Sequence, residues 1–469
     1  MGKPNLIYIF ADQLGRNHCG YGGSKKALTP NIDALARESV DLCNAVSGHP
    51  VCAPYRASLL TGKYTTSTGM VINEIRLNTG HKCFAHVLGE NGYNTGYIGK
   101  WHLYADELGN HYDPKNSFIP PGPDRLGFDG FFAAYNFHHD FYGERAYLHY
   151  DTPEKIYADK YEPDFQTDLA IEKIGELAAD SGKSGKPFAF FLSLGAPHDP
   201  WTPDNVPPEY LEKFRDVEFE LPPNYGPEND PHADNWARLK EPERAKLTEW
   251  MRVYYAMTAN LDDNIGRLMD TIDKLGLRGN SIVVFSSDHG EMFGAHGRRA
   301  KNIFYEEAVR IPFLVRLPKG QRAGKVCDAC FNIVDAMPTL LSLMGLPVPA
   351  GVEGMDISRL LLTGSGAEPE AALMMGTGKT AVFGDGFEWR GIRTKQYTYA
   401  VYRVDGEEHL YDNTADPYQM NNLAASRRGL RDELDALMRS MMDRIGDTFE
   451  PTSYYEHNWI KDRRIVRRP

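Results

Sequence analysis

A cysteine at position 52 is followed by Pro54 and Arg56, at the start of a short apolar segment that ends in Gly62. Ala53 precedes a proline and is biased toward an extended conformation, which would leave Cys52 accessible in the unfolded chain. After folding, Pro54 suits the first turn of a helix and Gly62 suits its end. This spacing places a thiol at a helix N-terminus, where free N–H groups favour an anion. An isolated cysteine is more often an inert buried residue, so the thiol needs partners before it has a chemical role.

Polar side chains follow four apolar segments that have the composition of buried strands. In open α/β sheets, ligands bind outside the carboxyl ends of the strands. The side chains at these ends are therefore predicted to converge, although they are distant in sequence. They are Asp12 and Gln13 after 5–11, Lys100 and His102 after 94–99, His198 after 187–194, and Asp288 and His289 after 281–286.

Asp12 and Asp288 offer the oxygen ligands that hard cations prefer, which predicts a site for Ca²⁺ or Mg²⁺. The neighbouring His289 makes Mn²⁺ an alternative. The alternative, that Asp12 is only a helix cap or a turn residue, is less favoured because the partner residues are present.

The elements that carry these side chains alternate between strands and helices. Helical spacing over 29–36, 164–179 and 244–275, with a further strand over 311–316, predicts an α/β fold. We expect a large, mostly parallel central sheet covered by helices on both faces. The stretches 103–165 and 200–235 lack periodicity and are predicted to be long surface loops.

The pattern changes near residue 365. Strands are predicted over 371–375, 389–402 and 408–411, followed by a helix over 427–445. This predicts a smaller C-terminal α+β subdomain, an antiparallel sheet plus a helix. We therefore divide the chain into a catalytic α/β domain, 1–365, and a subdomain, 366–469.

Composition limits the classes of function. A chain of 469 residues is long enough for two domains. The net charge of -12 argues against a nucleic-acid partner and means that an anionic substrate needs a local basic pocket. No apolar run could span a membrane, and no signal peptide is visible. The sequence as it stands predicts a cytoplasmic protein; a protein whose leader has been removed would be periplasmic or secreted.

The six cysteines do not form a dense disulfide framework. Cys327 and Cys330 lack a second Cys or His pair at zinc spacing. A local disulfide or two free thiols is therefore expected there.

Three groups of residues resemble signatures of one family, the type I (formylglycine-dependent) sulfatases of the alkaline phosphatase superfamily. They are the segment from Cys52 to Gly62, the segment 99–103, and the block 287–291 followed by His296, Gly297 and Lys301. Segments 409–412 and 416–423 resemble the family's C-terminal part, so the resemblance extends from residue 5 to about 424. Tyr55 departs from the family, in which serine is commoner, and Gln13 stands where many members have a second aspartate.

The resemblance implies that a formylglycine-generating enzyme converts Cys52 to formylglycine. It implies one divalent cation, with Ca²⁺ as the expected ion and Mg²⁺ or Mn²⁺ as alternatives. The implied metal ligands are Asp12, Gln13, the modified Cys52, Asp288 and His289. Because Gln13 is neutral, the site carries less negative charge than one with a second aspartate.

The resemblance also implies catalytic roles for Cys52, Arg56, Lys100, His102, His198 and Lys301. In the implied mechanism a hydroxyl of hydrated formylglycine, held near Arg56, attacks sulfur, and the metal, Lys100 and Lys301 neutralise the sulfate oxygens. His198, assisted by Lys301, protonates the leaving alkoxide. His102 accepts the proton whose loss releases sulfate. Further contacts to the leaving group are expected from Asp199, Trp201 and the segment 138–140, while Arg298 and Arg299 could face the anion or be surface charges.

The predicted activity is hydrolysis of a sulfate ester, on a sulfated carbohydrate or polysaccharide fragment. A phosphonate monoester or phosphodiester hydrolase of the same superfamily is the alternative. A binding protein without catalysis is a third hypothesis, which the intact metal, nucleophile and lysine motifs oppose.

Overall fold

The computed structural model describes residues 2–467. Within that range, eight strands form the central sheet in the order β8-β2-β7-β6-β1-β5-β3-β4. Only β7 among them runs antiparallel to its neighbours, so the predicted mostly parallel sheet is confirmed. The strands are β1 (Asn5–Ala11), β2 (Val40–Leu42), β3 (Asn94–Lys100), β4 (Phe131–Tyr135), β5 (Phe188–Ser193), β6 (Ser281–Ser287), β7 (Phe313–Arg316) and β8 (Lys325–Cys327).

Helices cover both faces of this sheet. Alternate side chains of β1 point to opposite faces. Leu6 and Tyr8 pack in a core with Tyr55 and Leu59, while Ile7 and Ile9 pack in a second core beneath the helices Glu162–Ser184 and Leu247–Lys274. Further helices are Pro30–Glu38, Cys52–Thr61, Thr65–Thr68, Phe84–Glu90, Pro114–Ser117, Pro208–Glu212, Glu241–Arg244, Glu306–Val309, Ala336–Leu343 and Ser358–Thr363.

A second sheet follows, and it is antiparallel as predicted. Its strands, in sheet order, are β9 (Ala372–Gly376), β10 (Trp389–Arg393), β11 (Tyr397–Tyr402) and β12 (Glu408–Asp412). The helix Arg428–Ile445 packs against it through Leu434 and Met438, and the helix Thr452–Trp459 follows. The single strand predicted over 389–402 is wrong: a turn, closed by the Thr394 N–H bond to the Tyr397 carbonyl, divides it into β10 and β11.

The stretch 103–165 is not only a loop. It contains β4, which extends the sheet by pairing in parallel with β3, Gly96 opposite Phe131. The run Phe131–Tyr135 is apolar but only five residues long, too short to stand out in an irregular stretch. The three-residue strands β2 and β8 were not predicted for the same reason.

The cysteine pair at the end of the sheet consists of two free thiols, Cys327 and Cys330, both buried. None of the helices in the described part of the chain combines the length and apolar character that a membrane crossing requires.

Candidate active site

The strand-end residues meet as the sheet order requires. Strands β6, β1, β5 and β3 are consecutive neighbours, so their carboxyl ends lie side by side. The side chains that end or follow them are buried: Asp12, Gln13, Lys100, His102, His198, Asp288 and His289. This edge forms the floor of the site.

The Cys52–Thr61 helix places the thiol above this edge. Every residue of the helix is buried, and Cys52 is its first residue. Gly62 ends it in the left-handed conformation, φ 64°, which glycine adopts without steric cost. At the other end, the Ala53 N–H donates to Asn73 Oδ1 at 2.9 Å. The helix is therefore fixed at both ends, with Cys52 facing the strand ends.

Three side chains surround the Cys52 thiol. Its Sγ lies 2.9 Å from Lys301 Nζ, 3.3 Å from His289 Nε2 and 3.8 Å from Asp12 Oδ1. Burial and Asp12 each act to raise the pKa of this thiol, but Lys100 and Lys301 outweigh them and bring the pKa below its usual value. The site therefore stabilises an anion at position 52.

Arg56 orients the two carboxylates of the site. Its Nη2 lies 3.3 Å from Asp12 Oδ2 and 3.3 Å from Asp288 Oδ2. Its Nη1 donates to the Lys100 carbonyl at 2.7 Å and to Ser193 Oγ at 2.6 Å. The guanidinium thus holds the metal-ligand candidates in place and joins them to β3 and β5.

Four residues could share a metal ion. One ligand atom from each of Asp12, Cys52, Asp288 and His289 lies within 4.8 Å of the others. His289 Nδ1 is 3.0 Å from the Gly290 carbonyl, which turns Nε2 toward the site. Burial lowers the pKa of His289 to about 4, so the imidazole is neutral and able to ligate. This donor set fits a divalent cation.

Gln13 can join the set through its amide oxygen. Its Nε2 donates to Glu291 Oε2 at 2.6 Å, which leaves Oε1 on the side of Lys301, 3.5 Å from Nζ. Gln13 has a positive φ of 69°, an uncommon conformation for a side-chain-bearing residue. The backbone and Glu291 together direct the Gln13 oxygen into the site.

Cations surround Asp12. Lys100 Nζ lies 2.5 Å from Asp12 Oδ2, and both side chains are fully buried. Burial alone would raise the pKa of Asp12, but Lys100, His198, Lys301 and Arg56 hold it well below its ordinary value. Asp12 is therefore an ionised carboxylate in a water-poor environment.

His198 and Lys301 form a pair next to Cys52. Lys301 Nζ is 3.2 Å from His198 Nε2. His198 Nδ1 lies 2.8 Å from the Asp199 carbonyl oxygen, a hydrogen bond that requires a proton on Nδ1 and leaves Nε2 free to accept from Lys301.

His102 lies beside this group rather than in contact with the thiol. Within residues 2–467, no hydrogen bond joins it to Cys52 and its buried Nδ1 has no hydrogen-bond partner. Its ring packs on Phe137, with centroids 5.0 Å apart. Burial, then Lys100 and Arg56, lower the pKa of His102 well below its usual value, so its imidazole is neutral.

The structure corrects several expected contacts to a leaving group. Trp201 is buried among aromatic residues and its Nε1 donates to the Pro197 carbonyl, so it belongs to the core. His138 is fully buried and lies 2.8 Å from Glu162 Oε2. Arg298 is buried and pairs with Asp230 at 2.9 Å, so it is neither a surface charge nor free for an anion.

Other expected contacts lie near the site or its border. His139 stacks on His198, with ring centroids 3.9 Å apart. Asp199 lies 3.2 Å from His198 Nδ1 and 3.9 Å from Arg299. Arg299 makes its shorter contact, 2.8 Å, with Glu243. Asp140 accepts a hydrogen bond from Tyr112.

Three residues that position the site were not identified from the sequence: Asn73, Ser193 and Glu291. Ser193 lies within a predicted strand, one residue before its end, and Glu291 lies within a motif block, so each had a positional signal. Asn73 had none, because it reaches the Cys52 helix from an irregular loop.

Comparison with protein families gives two matches. The family model described as Sulfatase matches residues 4–346. The model described as N-sulphoglucosamine sulphohydrolase, C-terminal, matches residues 294–446. Together the matches include both sheets and every side chain around Cys52.

Known proteins resemble the chain over nearly its whole length. It is 37% identical over 468 residues to the Ulvan-active sulfatase of Formosa agariphila, covering 98% of this chain and 85% of that protein. It is 26% identical to an N-acetylglucosamine-6-O-sulfatase of Bacteroides thetaiotaomicron, covering 90% and 82%. The solved structure of yidJ from Bacteroides fragilis superposes with a TM-score of 0.81 at 29% identity, covering 97% and 98%.

Proposed function

This chain belongs to the sulfatase family, and from that membership we propose that it removes sulfate from a sulfated carbohydrate through a formylglycine made from Cys52. The observation that carries the proposal is the environment of Cys52 Sγ, with Lys301, His289 and Asp12 at 2.9, 3.3 and 3.8 Å. The names of the two sulfatase relatives, one active on ulvan and one on N-acetylglucosamine-6-sulfate, support a carbohydrate substrate.

The Cys52 sulfur stands where an oxygen of hydrated formylglycine would lie. That hydrate would supply a hydroxyl nucleophile. Asp12, Gln13, Asp288 and His289 would hold a divalent cation, which would supply positive charge to the site. The hydrogen bond that fixes the start of the Cys52 helix keeps position 52 in place. Arg56 orients Asp12 and Asp288, two of the residues that would hold the cation.

Lys100 and Lys301 neutralise the charge of the bound sulfate group. Both are buried, where an ionic interaction is stronger than in water. They are already held by hydrogen bonds, Lys100 to Asp12 and Lys301 to His198, so little reorganisation accompanies the reaction.

His198, in its imidazolium form, donates the Nε2 proton to the leaving oxygen. Lys301 assists because its positive charge, with Nζ 3.2 Å from His198 Nε2, favours release of that proton while Lys301 keeps its own. His102, neutral and adjacent to Lys100, accepts the proton in the step that releases sulfate. Because no hydrogen bond joins His102 to Cys52 within the described residues, this second transfer passes through a water or the substrate.

The modification is tested by mass spectrometry of the peptide that contains Cys52, from native protein. We expect an aldehyde at position 52 in protein made together with a formylglycine-generating enzyme and a thiol in protein made without it. An unmodified thiol in fully active protein would overturn the proposed nucleophile.

The reaction is tested by assaying an aryl sulfate, an aryl phosphonate, a phosphodiester and a panel of sulfated saccharides. We expect sulfate release to be fastest and to disappear in Cys52→Ala, while Cys43→Ala, which removes a free thiol outside the site, keeps its activity. A preference for the phosphonate or the diester by orders of magnitude would instead support the alternative hydrolase.

A further inference from the structure

A second group of metal-ligating side chains lies outside the Cys52 site. It forms where His232, on the segment between 224 and 240, meets Asp405 and Glu407, on the turn between β11 and β12. One ligand atom from each of the three residues lies within 4.8 Å of the others. The group thus joins a segment that leads out of the central domain to the C-terminal sheet.

The spacing of the donor atoms fits a small tetrahedral ion. His232 Nε2 lies 3.3 Å from Asp405 Oδ2 and 3.1 Å from Glu407 Oε2. Zinc bonds of roughly 2.0–2.2 Å in a tetrahedron put neighbouring ligand atoms roughly 3.3–3.6 Å apart. An ion could therefore enter with shifts of a few tenths of an ångström. The same spacing also suits a protonated histidine paired with two carboxylates, so the two arrangements need an experimental distinction.

His232 is held in the orientation that ligation requires. Its ring stacks on Tyr402, with centroids 3.8 Å apart and planes inclined by 17°. Its backbone N–H donates to Asp230 Oδ1 at 2.8 Å. The His232 side chain is 10% exposed, whereas Asp405 and Glu407 are 48% and 49% exposed. The imidazole is thus fixed, while solvent can reach the carboxylates and complete a coordination shell.

A neighbouring histidine gives an independent indication of a ligand. His409 Nε2 is buried and has no hydrogen-bond partner within the described residues, yet it lies 3.4 Å from Glu407 Oε1. Its Nδ1 is 3.1 Å from the Tyr411 hydroxyl. A buried ring nitrogen without a hydrogen-bond partner is costly, and a cation bound by Glu407 would give this nitrogen a role in orienting the Glu407 carboxylate.

We propose that His232, Asp405 and Glu407 bind a divalent transition-metal ion, with Zn²⁺ as the representative ion. Imidazole with carboxylate oxygens favours such an ion over Ca²⁺. The bound ion would connect the 224–240 segment to the β11–β12 turn. Asp234 on the same segment accepts from the Thr380 N–H at 2.7 Å, so the ion would reinforce an existing junction.

Isothermal titration of the chelator-treated full chain with Zn²⁺ tests the proposal. All proteins carry Cys52→Ala and Asp288→Asn, which remove two of the four candidate metal ligands of the Cys52 site. We expect this parent to bind one zinc ion per chain, and His232→Ala and Glu407→Gln to lose it. His457→Ala, which removes an exposed histidine outside the group, should bind zinc like the parent. Co²⁺ in place of Zn²⁺ should show the visible absorption of a four-coordinate ion.

Two results would overturn the proposal: a parent that binds no zinc, or zinc binding that persists in both His232→Ala and Glu407→Gln. Circular dichroism and thermal unfolding in chelator establish that each variant is folded. Glu407→Gln keeps the shape of a half-exposed side chain, so it serves if His232→Ala does not fold.

Discussion

Around Cys52, each negatively charged group contacts a positively charged side chain. Asp12 contacts Lys100 and Arg56, and Lys301 contacts Cys52. Burial and the Asp12 and Cys52 anions have opposite effects on Lys301: burial lowers its pKa, and the anions raise it above its usual value. Lys301 is therefore a permanent cation, positioned for a negatively charged substrate.

Replacing Lys301 with alanine tests this role. Because a buried donor to a developing negative charge is lost, we expect kcat for sulfate release to fall by about 10²–10³-fold. Lys25→Ala, an exposed lysine, is the matched control and should retain wild-type kcat. The measurement is steady-state kinetics on one sulfated saccharide. A decrease in kcat smaller than about tenfold would contradict the assignment.

At the scale of elements, Gly99 allows β3 to approach β5 closely just before Lys100, and so fixes the position of Lys100. Its φ is 103°, and a Cβ there would lie 2.0 Å from the Ser193 carbonyl oxygen of β5. Both strands would have to separate to admit any side chain, and the oxygen belongs to the backbone, which cannot rotate away.

Gly99→Ala should therefore destabilise the protein and disturb the site. We expect a loss of at least about 2 kcal/mol in the free energy of unfolding, from backbone strain and the clash together. Gly89→Ala, in the helix Phe84–Glu90, adds a Cβ with no atom within 4 Å and should be neutral or mildly stabilising. Urea denaturation of Gly99→Ala and Gly89→Ala compares their free energies of unfolding. Equal denaturation midpoints for the two variants would refute the explanation.

Much of the site was predictable because parallel strands end at a common edge. The apolar segments before Asp12, Lys100, His198 and Asp288 identified four strands. Because these strands end at one edge of the sheet, the side chains that follow them lie close together. The metal-ligand candidates are indeed adjacent, although the chemical roles of these side chains stay predictions.

The contacts that could not be predicted are made by residues in irregular segments of the chain. Asn73 contacts the Cys52 helix from a loop whose conformation no sequence periodicity encodes. Trp201 was assigned to the site because it follows His198 closely, but an indole is largely apolar and packs in the core instead. The same limitation concealed β4 within the stretch 103–165.

At the scale of the whole molecule, Glu307 makes stability depend on pH. It is buried, one carboxylate oxygen accepts from Asn224 at 2.7 Å, and the other has no hydrogen-bond partner in the described residues. Burial raises the pKa of Glu307 from 4.5 to about 7. Between these values the folded chain retains a proton that the unfolded chain has lost, so stability falls as pH rises and the loss is complete above the folded pKa.

Glu307→Gln removes this titration. Relative to wild type, we expect the variant to gain about 1–3 kcal/mol in the free energy of unfolding between about pH 5 and about pH 8. Glu433→Gln, at an exposed position, should show no such trend. Urea denaturation across this pH range is the measurement, and a Glu307→Gln difference that is constant with pH would exclude the explanation.

The complete burial of the Cys52–Thr61 helix has a consequence for timing. Once that helix has docked, another enzyme cannot reach position 52, so folding and modification compete during synthesis. On the proposed chemistry, the active fraction of a preparation is set by the ratio of two rates in the producing cell and cannot be raised after purification. Specific activity then varies between expression hosts without any change in sequence, and a variant that folds more slowly can give more active molecules.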